Sequence, residues 1–445
     1  MDLGFETIGN ACIICHDRGP VLATDPWLFG PAYFGSWILS HEVPNEQFEN
    51  VKRCKFVWIS HGHPDHLSLP SLELLQDKQI LLADHYGGRI AKDLRGLGYQ
   101  VTVLQDGVWT ELSPRLRIAS IANYNQDAVL LIDLDGNLLV DANDAGDRGA
   151  SMFLERELPR FEKQTFLACL LGYGDADMIN CFDEQGRRLP SLSDQRQPVG
   201  PQVAYVLHSY GLQNYLPSSS QHRYHRTDSL WANDHTTPIE AYGEGFVSDR
   251  GARCLPAFVQ YDLAAGSFRR IDPRSNDGQT AEPAAFGDDW STPLGEGDVH
   301  KLQAYFGRFA HLPTFLGFLQ FRVGGKDCTI DINRAHRRGI SFSTPLQSLL
   351  AAVEWHAFDD LMIGNFTRTT LLGDWGGRIG TEALYPDFVP FVTKFGDNGG
   401  AGSAAELRAY FADYLRRGFT AFGHTPVDRD AQLAMQAALR PYLRA

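Results

Sequence analysis

No stretch of the 445-residue chain approaches the roughly 18 uncharged apolar residues that a membrane-spanning helix requires, so no membrane partner is expected. The opening Met1-Asp2-Leu3-Gly4-Phe5-Glu6 lacks the basic start and apolar core of a secretory signal, and cytoplasmic residence is expected. A basic excess is also missing. The net charge of −14 disfavours binding to phosphate backbones, which need a cationic face, so the expected partner is a small polar substrate rather than nucleic acid. The cysteines, seven in number, do not form an even framework, and strings such as Leu167-Ala168-Cys169-Leu170-Leu171 read as buried thiols. Cys12-Ile13-Ile14-Cys15-His16 matches the pattern for covalent haem attachment, but it lies within an apolar string and reads as a strand.

The first part of the chain carries short apolar runs between turn signals: Ala11 to Cys15, Pro20 to Asp25 and Lys55 to Ser60. Ser71 to Leu75 then reads as helix and Gln79 to Ala83 as strand, an α/β rhythm. Ala128 to Asp133 and Asn137 to Asp141, joined through Leu134-Asp135-Gly136, form a predicted hairpin. Strands are predicted at Cys169 to Gly172, at Val203 to His208 and at Asp327 to Ile332, and helices at Pro345 to Trp355 and Ala404 to Arg417. From Asp272 to Asp298 apolar periodicity fades, which predicts a surface connection.

Chemistry concentrates in His61-Gly62-His63-Pro64-Asp65-His66, directly after a predicted buried strand. Imidazole and carboxylate groups hold zinc, iron or manganese, and a loop at a strand end can aim several at one point. His61 and His63 alternate along an extended segment and can face one ion, while Asp65 and His66 turn toward a second. Such a pair of ions calls for a bridging carboxylate. Asp144, in the turn closing the hairpin, is the candidate, and Asp65 and Asp144 are the candidate catalytic carboxylates. His208, read as a strand end, is the candidate last ligand of the second ion. His222 and His225, in a polar loop beyond it, and Arg368 are candidate substrate contacts.

The histidine run resembles that of the metallo-β-lactamase superfamily. Asp25-Pro26-Trp27-Leu28, Gly30-Pro31-Ala32, Trp37, His41-Glu42 and His66-Leu67-Ser68 resemble the hydrolase-fold domain of the CMP-N-acetylneuraminate hydroxylases, with the ascorbate-phosphate lactonases as a more distant branch. Asp359 to Gly364 and Thr367-Arg368 resemble that family's closing segment. The resemblance implies an α/β fold, the metallo-β-lactamase αββα sandwich, over residues 1–270 as catalytic domain. A connecting segment, 271–310, and a smaller C-terminal α+β region, 311–445, packed on that domain, would follow. It also implies that Asp25 orients a ligand histidine from the layer behind it.

Two departures bear on function. The Rieske pattern, Cys-x-His with a second Cys-x-x-His, is missing, so electrons would come from a separate reductase or ferredoxin. The third histidine of the first ion falls at Asn123, with Asp127 as an alternative donor. Two imidazoles and one carboxylate leave open positions for dioxygen on non-haem iron. The expectation is therefore an enzyme with two divalent metal ions: iron for a diiron-type oxygenase or hydroxylase, or zinc or manganese for a hydrolase of a phosphodiester, lactone or ester.

Overall fold

The computed structural model describes residues 1–146, 150–175, 180–195, 197–248, 250–417 and 438–442. Two large sheets stack face to face. The first runs, edge to edge, through Ser267–Arg270, Val259–Asp262, Leu3–Ile8, Cys12–Asp17, Pro20–Thr24, Phe56–Ile59, Gln79–Leu82 and Gln100–Val103. The second runs through Arg253–Cys254, Asn214–Pro217, Thr165–Cys169, Asn137–Asn143, Ala128–Leu134, Leu116–Ala122 and Thr110–Ser113.

Period-two alternation sorts the side chains into layers. In Ala128–Leu134, Ala128, Leu130, Ile132 and Leu134 enter the core between the sheets, whereas Val129 and Leu131 face outward onto the helices Ser151–Glu157, Gly200–Tyr210 and Ala404–Arg416. In Phe56–Ile59, Trp58 enters the same inter-sheet core, and Val57 and Ile59 meet Val51, Leu72 and Leu94 from the helices on the other side. Helix, sheet, sheet, helix is the expected αββα sandwich. The same alternation settles the Cys12/Cys15 pair: Cys15 points between the sheets and Cys12 toward the outer helices, so the two thiols cannot attach to one haem.

A third sheet, Cys181–Phe182, Arg368–Leu372, Gly339–Ser343, Phe318–Val323 and Lys326–Asp331, carries the helices Leu346–Glu354 and Phe358–Ile363. The expected connection at 271–310 contains the helix Glu296–Phe306, whose Leu302 and Phe306 join this third core. Two segments differ from expectation: the strand predicted at Cys169 to Gly172 lies earlier, at Thr165–Cys169, and the one predicted at Val203 to His208 is helical. Residues predicted as a strand ending at His208 lie in the helix Gly200–Tyr210, which Pro201 opens and Gly211 closes in the left-handed conformation that glycine tolerates. Among the described residues no helix is long and apolar enough to cross a membrane.

Parallel pairing fixes the location of chemistry. Pro20–Thr24, Phe56–Ile59 and Gln79–Leu82 run parallel in the first sheet, as do Asn137–Asn143, Thr165–Cys169 and Asn214–Pro217 in the second. Loops leaving their carboxyl ends gather on one edge of the sandwich, where ligands sit in open α/β sheets.

A buried carboxylate ties the first sheet to its covering helix. Glu6, fully buried, accepts hydrogen bonds from Gln47, Asn50 and Gln260, and His16 Nε2 stands 3.1 Å away. Burial alone would raise its pKa, but these donors lower it from 4.5 to about 2. A depressed folded pKa contributes stability at pH values above the unfolded pKa and loses it as pH falls toward the folded one; the shift corresponds to about 3 kcal/mol. Urea unfolding of Glu6→Gln should show a shallower loss of stability between about pH 5 and pH 2 than the parent. An unchanged acid slope would remove Glu6 from that role.

Candidate metal centre

His61 to His66 leave the end of Phe56–Ile59 in a tight turn, closed by hydrogen bonds from the His66 and Leu67 amides to the His63 carbonyl. Asp144 arrives from the second sheet. Its placement depends on Asn143, whose φ of 32° turns the chain while its side-chain oxygen accepts from the Asp144 amide at 2.8 Å. The Asn143 side-chain nitrogen donates to the Ala128 carbonyl, fixing the turn to the neighbouring strand.

Hydrogen-bond accounting assigns the ring tautomers. Ser60 donates its hydroxyl proton to Asp25 Oδ2 at 2.7 Å, so its oxygen accepts from His61 Nδ1 at 2.9 Å, and His61 Nε2 is left with a lone pair. His63 gives its Nε2 proton to Asp359 Oδ2 at 3.0 Å, which turns Nδ1 toward His61 Nε2. The two nitrogens stand 3.0 Å apart, so a proton on His63 Nδ1 bridges them when no cation lies between, and a metal ion would take that proton's place. His66 donates from Nδ1 to Asp25 Oδ2 at 2.9 Å, and its Nε2 faces Asp65 Oδ2 and Asp144 Oδ1, both at 3.4 Å. Asp144 Oδ2 lies 3.8 Å from His61 Nε2. Its two oxygens therefore address different histidines.

The donors form two groups that share Asp144: His61, His63 and Asp144, and Asp65, His66 and Asp144, with ligand atoms within 4.8 Å of one another in each. This is a donor set for two divalent ions with a bridging carboxylate, and the residues fit that cofactor. Behind the ligands stand orienting partners. Asp25 serves His66 and Asp359 serves His63. Asp65 accepts from Tyr33 Oη at 2.5 Å and from Asn10 Nδ2 at 2.8 Å. Tyr33 reaches it from a left-handed backbone conformation, φ 50°, a strained setting for a bulky residue.

Electrostatics follow the same division. Burial, the neighbouring imidazoles and Lys394 push the His61 pKa well below its usual range and keep the ring neutral. At His66, burial is outweighed by Asp65, Asp144 and Asp25, and the pKa rises, so Nε2 holds a proton between these carboxylates that a metal ion would displace. Burial and the adjacent Asp359 push the Asp360 carboxyl up to about 8.

Several expected site residues are placed differently. Asn123 turns its side-chain oxygen onto its own loop, accepting from the Asn125 and Asp127 amides at 2.8 and 3.1 Å, so it caps that turn and offers no oxygen to an ion. Asp127 accepts from Asn125 Nδ2 and stands 3.6 Å from Lys394 Nζ. His208 is exposed in the last turn of its helix and is not among the clustered donors, because helical geometry carries it off the sheet edge. His222 is buried in the short strand His222–Tyr224, its ring stacked on Trp37 at 3.4 Å and its Nδ1 3.3 Å from Asp175. His225 packs edge-on to Phe286, and Arg368 is exposed with its guanidinium 4.0 Å over Phe182; neither meets the ligands. Sequence reasoning did not single out Asn10, Tyr33 or Lys394 as members of the centre. Asp359 and Asp360 drew notice only as family-like text.

Fold and donor set together define a metal-binding protein of the metallo-β-lactamase fold. No family model matches the chain. Over 144 residues it is 30% identical to cytidine monophosphate-N-acetylneuraminic acid hydroxylase of Asterias rubens and of Sus scrofa, and 31% to that of Xenopus laevis. The match takes in 30% of this chain but only 22%, 33% and 24% of those proteins. Among solved structures, Igni18, a metallo hydrolase of Ignicoccus hospitalis, aligns over 61% of this chain and 98% of its own at 15% identity and TM-score 0.38. CmlA, a diiron beta-hydroxylase of Streptomyces venezuelae, aligns over 61% of this chain and 54% of its own at 13% identity and TM-score 0.37.

Because Asp144 belongs to both donor groups, Asp144→Ala should lower bound metal by at least one ion per chain, whereas His208→Ala should leave it unchanged. Elemental analysis of the two variants checks this. Full retention of both ions in Asp144→Ala would strike Asp144 from the ligands, and loss in His208→Ala would restore His208.

Proposed function

We propose that the chain is a diiron-type oxygenase or hydroxylase acting on a small polar metabolite, with electrons supplied by a separate reductase or ferredoxin. The observation that carries this reading is the composition of the first donor group. With Asn123 committed to its own turn, that group offers two imidazoles and one carboxylate, the set that leaves non-haem iron open positions. When bound, the two ions supply the redox change and Lewis acidity that dioxygen chemistry needs.

The chain's own residues keep that set in place. Asp359 holds the His63 ring with Nδ1 turned inward, and Asp25 holds His66 with Nε2 turned inward. Tyr33 and Asn10 fix both oxygens of Asp65, leaving its remaining lone pairs directed at the second position. Burial of His61, His63, Asp65 and His66 excludes bulk water from the inner face of the centre. Similarity to hydroxylases over 144 residues supports oxidation of a polar metabolite. The buried thiols of Cys12, Cys15, Cys54 and Cys181 suit a reducing compartment, the cytoplasm.

Protein purified without added metal should contain two irons per chain, give a Mössbauer spectrum of coupled non-haem iron, and consume dioxygen when supplied with ferredoxin and its reductase. Two zinc or manganese ions per chain, with turnover of lactones, esters or phosphodiesters and no dioxygen uptake, would replace this reading with that of a metallo-hydrolase.

A further inference from the structure

Beside the first donor group lies a cation that the ligand pattern does not call for. Lys394, buried at 3% exposure, projects from the π-helical segment Pro390–Asn398, and its Nζ stands 3.2 Å from His63 Nε2, 3.6 Å from Asp127 Oδ1 and 3.9 Å from Asp359 Oδ2. Asp359 already takes the His63 Nε2 proton, so the ammonium is not needed to orient that ring. Its salt-bridge partners are Asp127 and Asp359, the second of them already bonded to His63. The effect is to cancel negative charge that would otherwise draw a metal ion to the first position. Around Asp65 and His66 the donors from outside are a phenol and an amide, and among the described residues no lysine or arginine forms an ion pair with Asp65 or Asp144.

We propose that Lys394 makes the two ion positions unequal, so that the position formed by Asp65, His66 and Asp144 fills first and the one formed by His61, His63 and Asp144 fills at higher metal concentration. This rests on the reading of the site as a metal centre and adds to it an order of loading and the residue that sets it. A fixed positive charge lowers the affinity of a neighbouring cation site, and Asp127 tempers it by pairing with the ammonium. The first position is thereby an exchangeable one, sensitive to free metal, beside a second position that retains its ion.

The test is a titration of metal-stripped protein with Mn2+, followed by equilibrium dialysis and by the EPR signal of free ion. The parent should bind in two steps at least about tenfold apart in Kd. Lys394→Met should tighten the weaker step by about tenfold or more and leave the tighter one unmoved, while Asp127→Asn should weaken that same step. Asp65→Asn should abolish the tighter step. Two equal steps in the parent, or a weaker step that Lys394→Met and Asp127→Asn shift in the same direction or not at all, would overturn the role of Lys394. Should Lys394→Met fail to fold, the parent isotherm and Asp127→Asn decide alone. No Mn2+ binding by any form would overturn the metal-centre reading and the inference with it.

Discussion

Three imidazole nitrogens and two carboxylates, turned toward one another inside the protein, are the constraint on which the rest of the site depends. Ring nitrogens and carboxylate oxygens held this close compete for the same few protons unless cations lie between them, and a buried charge left without a partner costs several kcal/mol. Cations between His61 and His63, and between Asp65 and His66, with Asp144 joining the two groups, remove that conflict. The hydrogen bonds behind the ligands set the direction of every lone pair: Ser60 and Asp25 for His61 and His66, Asp359 for His63.

That second layer explains why the sandwich is not the whole functional unit. Asp359 comes from the helix Phe358–Ile363 and Lys394 from the segment Pro390–Asn398, both packed with the C-terminal third of the chain. The sandwich supplies ligands at its strand ends, and the added region supplies the groups that orient and balance them. Tyr33 and Asn10, from early turns, perform the equivalent task for Asp65. Removal of the C-terminal region would therefore leave His63 without the carboxylate that fixes its tautomer.

Much of this was legible in the order of residues. The six-residue histidine run keeps four of its ligand candidates local, and the turn signal Leu134-Asp135-Gly136 marked the apolar strand Ala128–Leu134, whose faces the two cores then divide. Asp144 and Asp25 were legible because each follows a strand. Val203 to His208 was misread because an apolar run of this length suits a strand or a helix. Pro201, Gly211 and the spacing of Val203, Val206 and Leu207 were the better signals. The contacts of His63 with Asp359 and Lys394 span 296 and 331 positions, and no local pattern encodes such pairs. Asn123 was expected at the position of the third histidine, and only the fold shows its oxygen spent on its own loop.

A crystal of the metal-loaded protein, with anomalous diffraction collected on both sides of the iron edge, reads the arrangement of cations directly. Two peaks should appear, one between His61 Nε2 and His63 Nδ1 and one between Asp65 and His66 Nε2, with one oxygen of Asp144 directed at each. A well-ordered crystal in which those nitrogens bond to water or to one another, with any metal elsewhere on the chain, would contradict it.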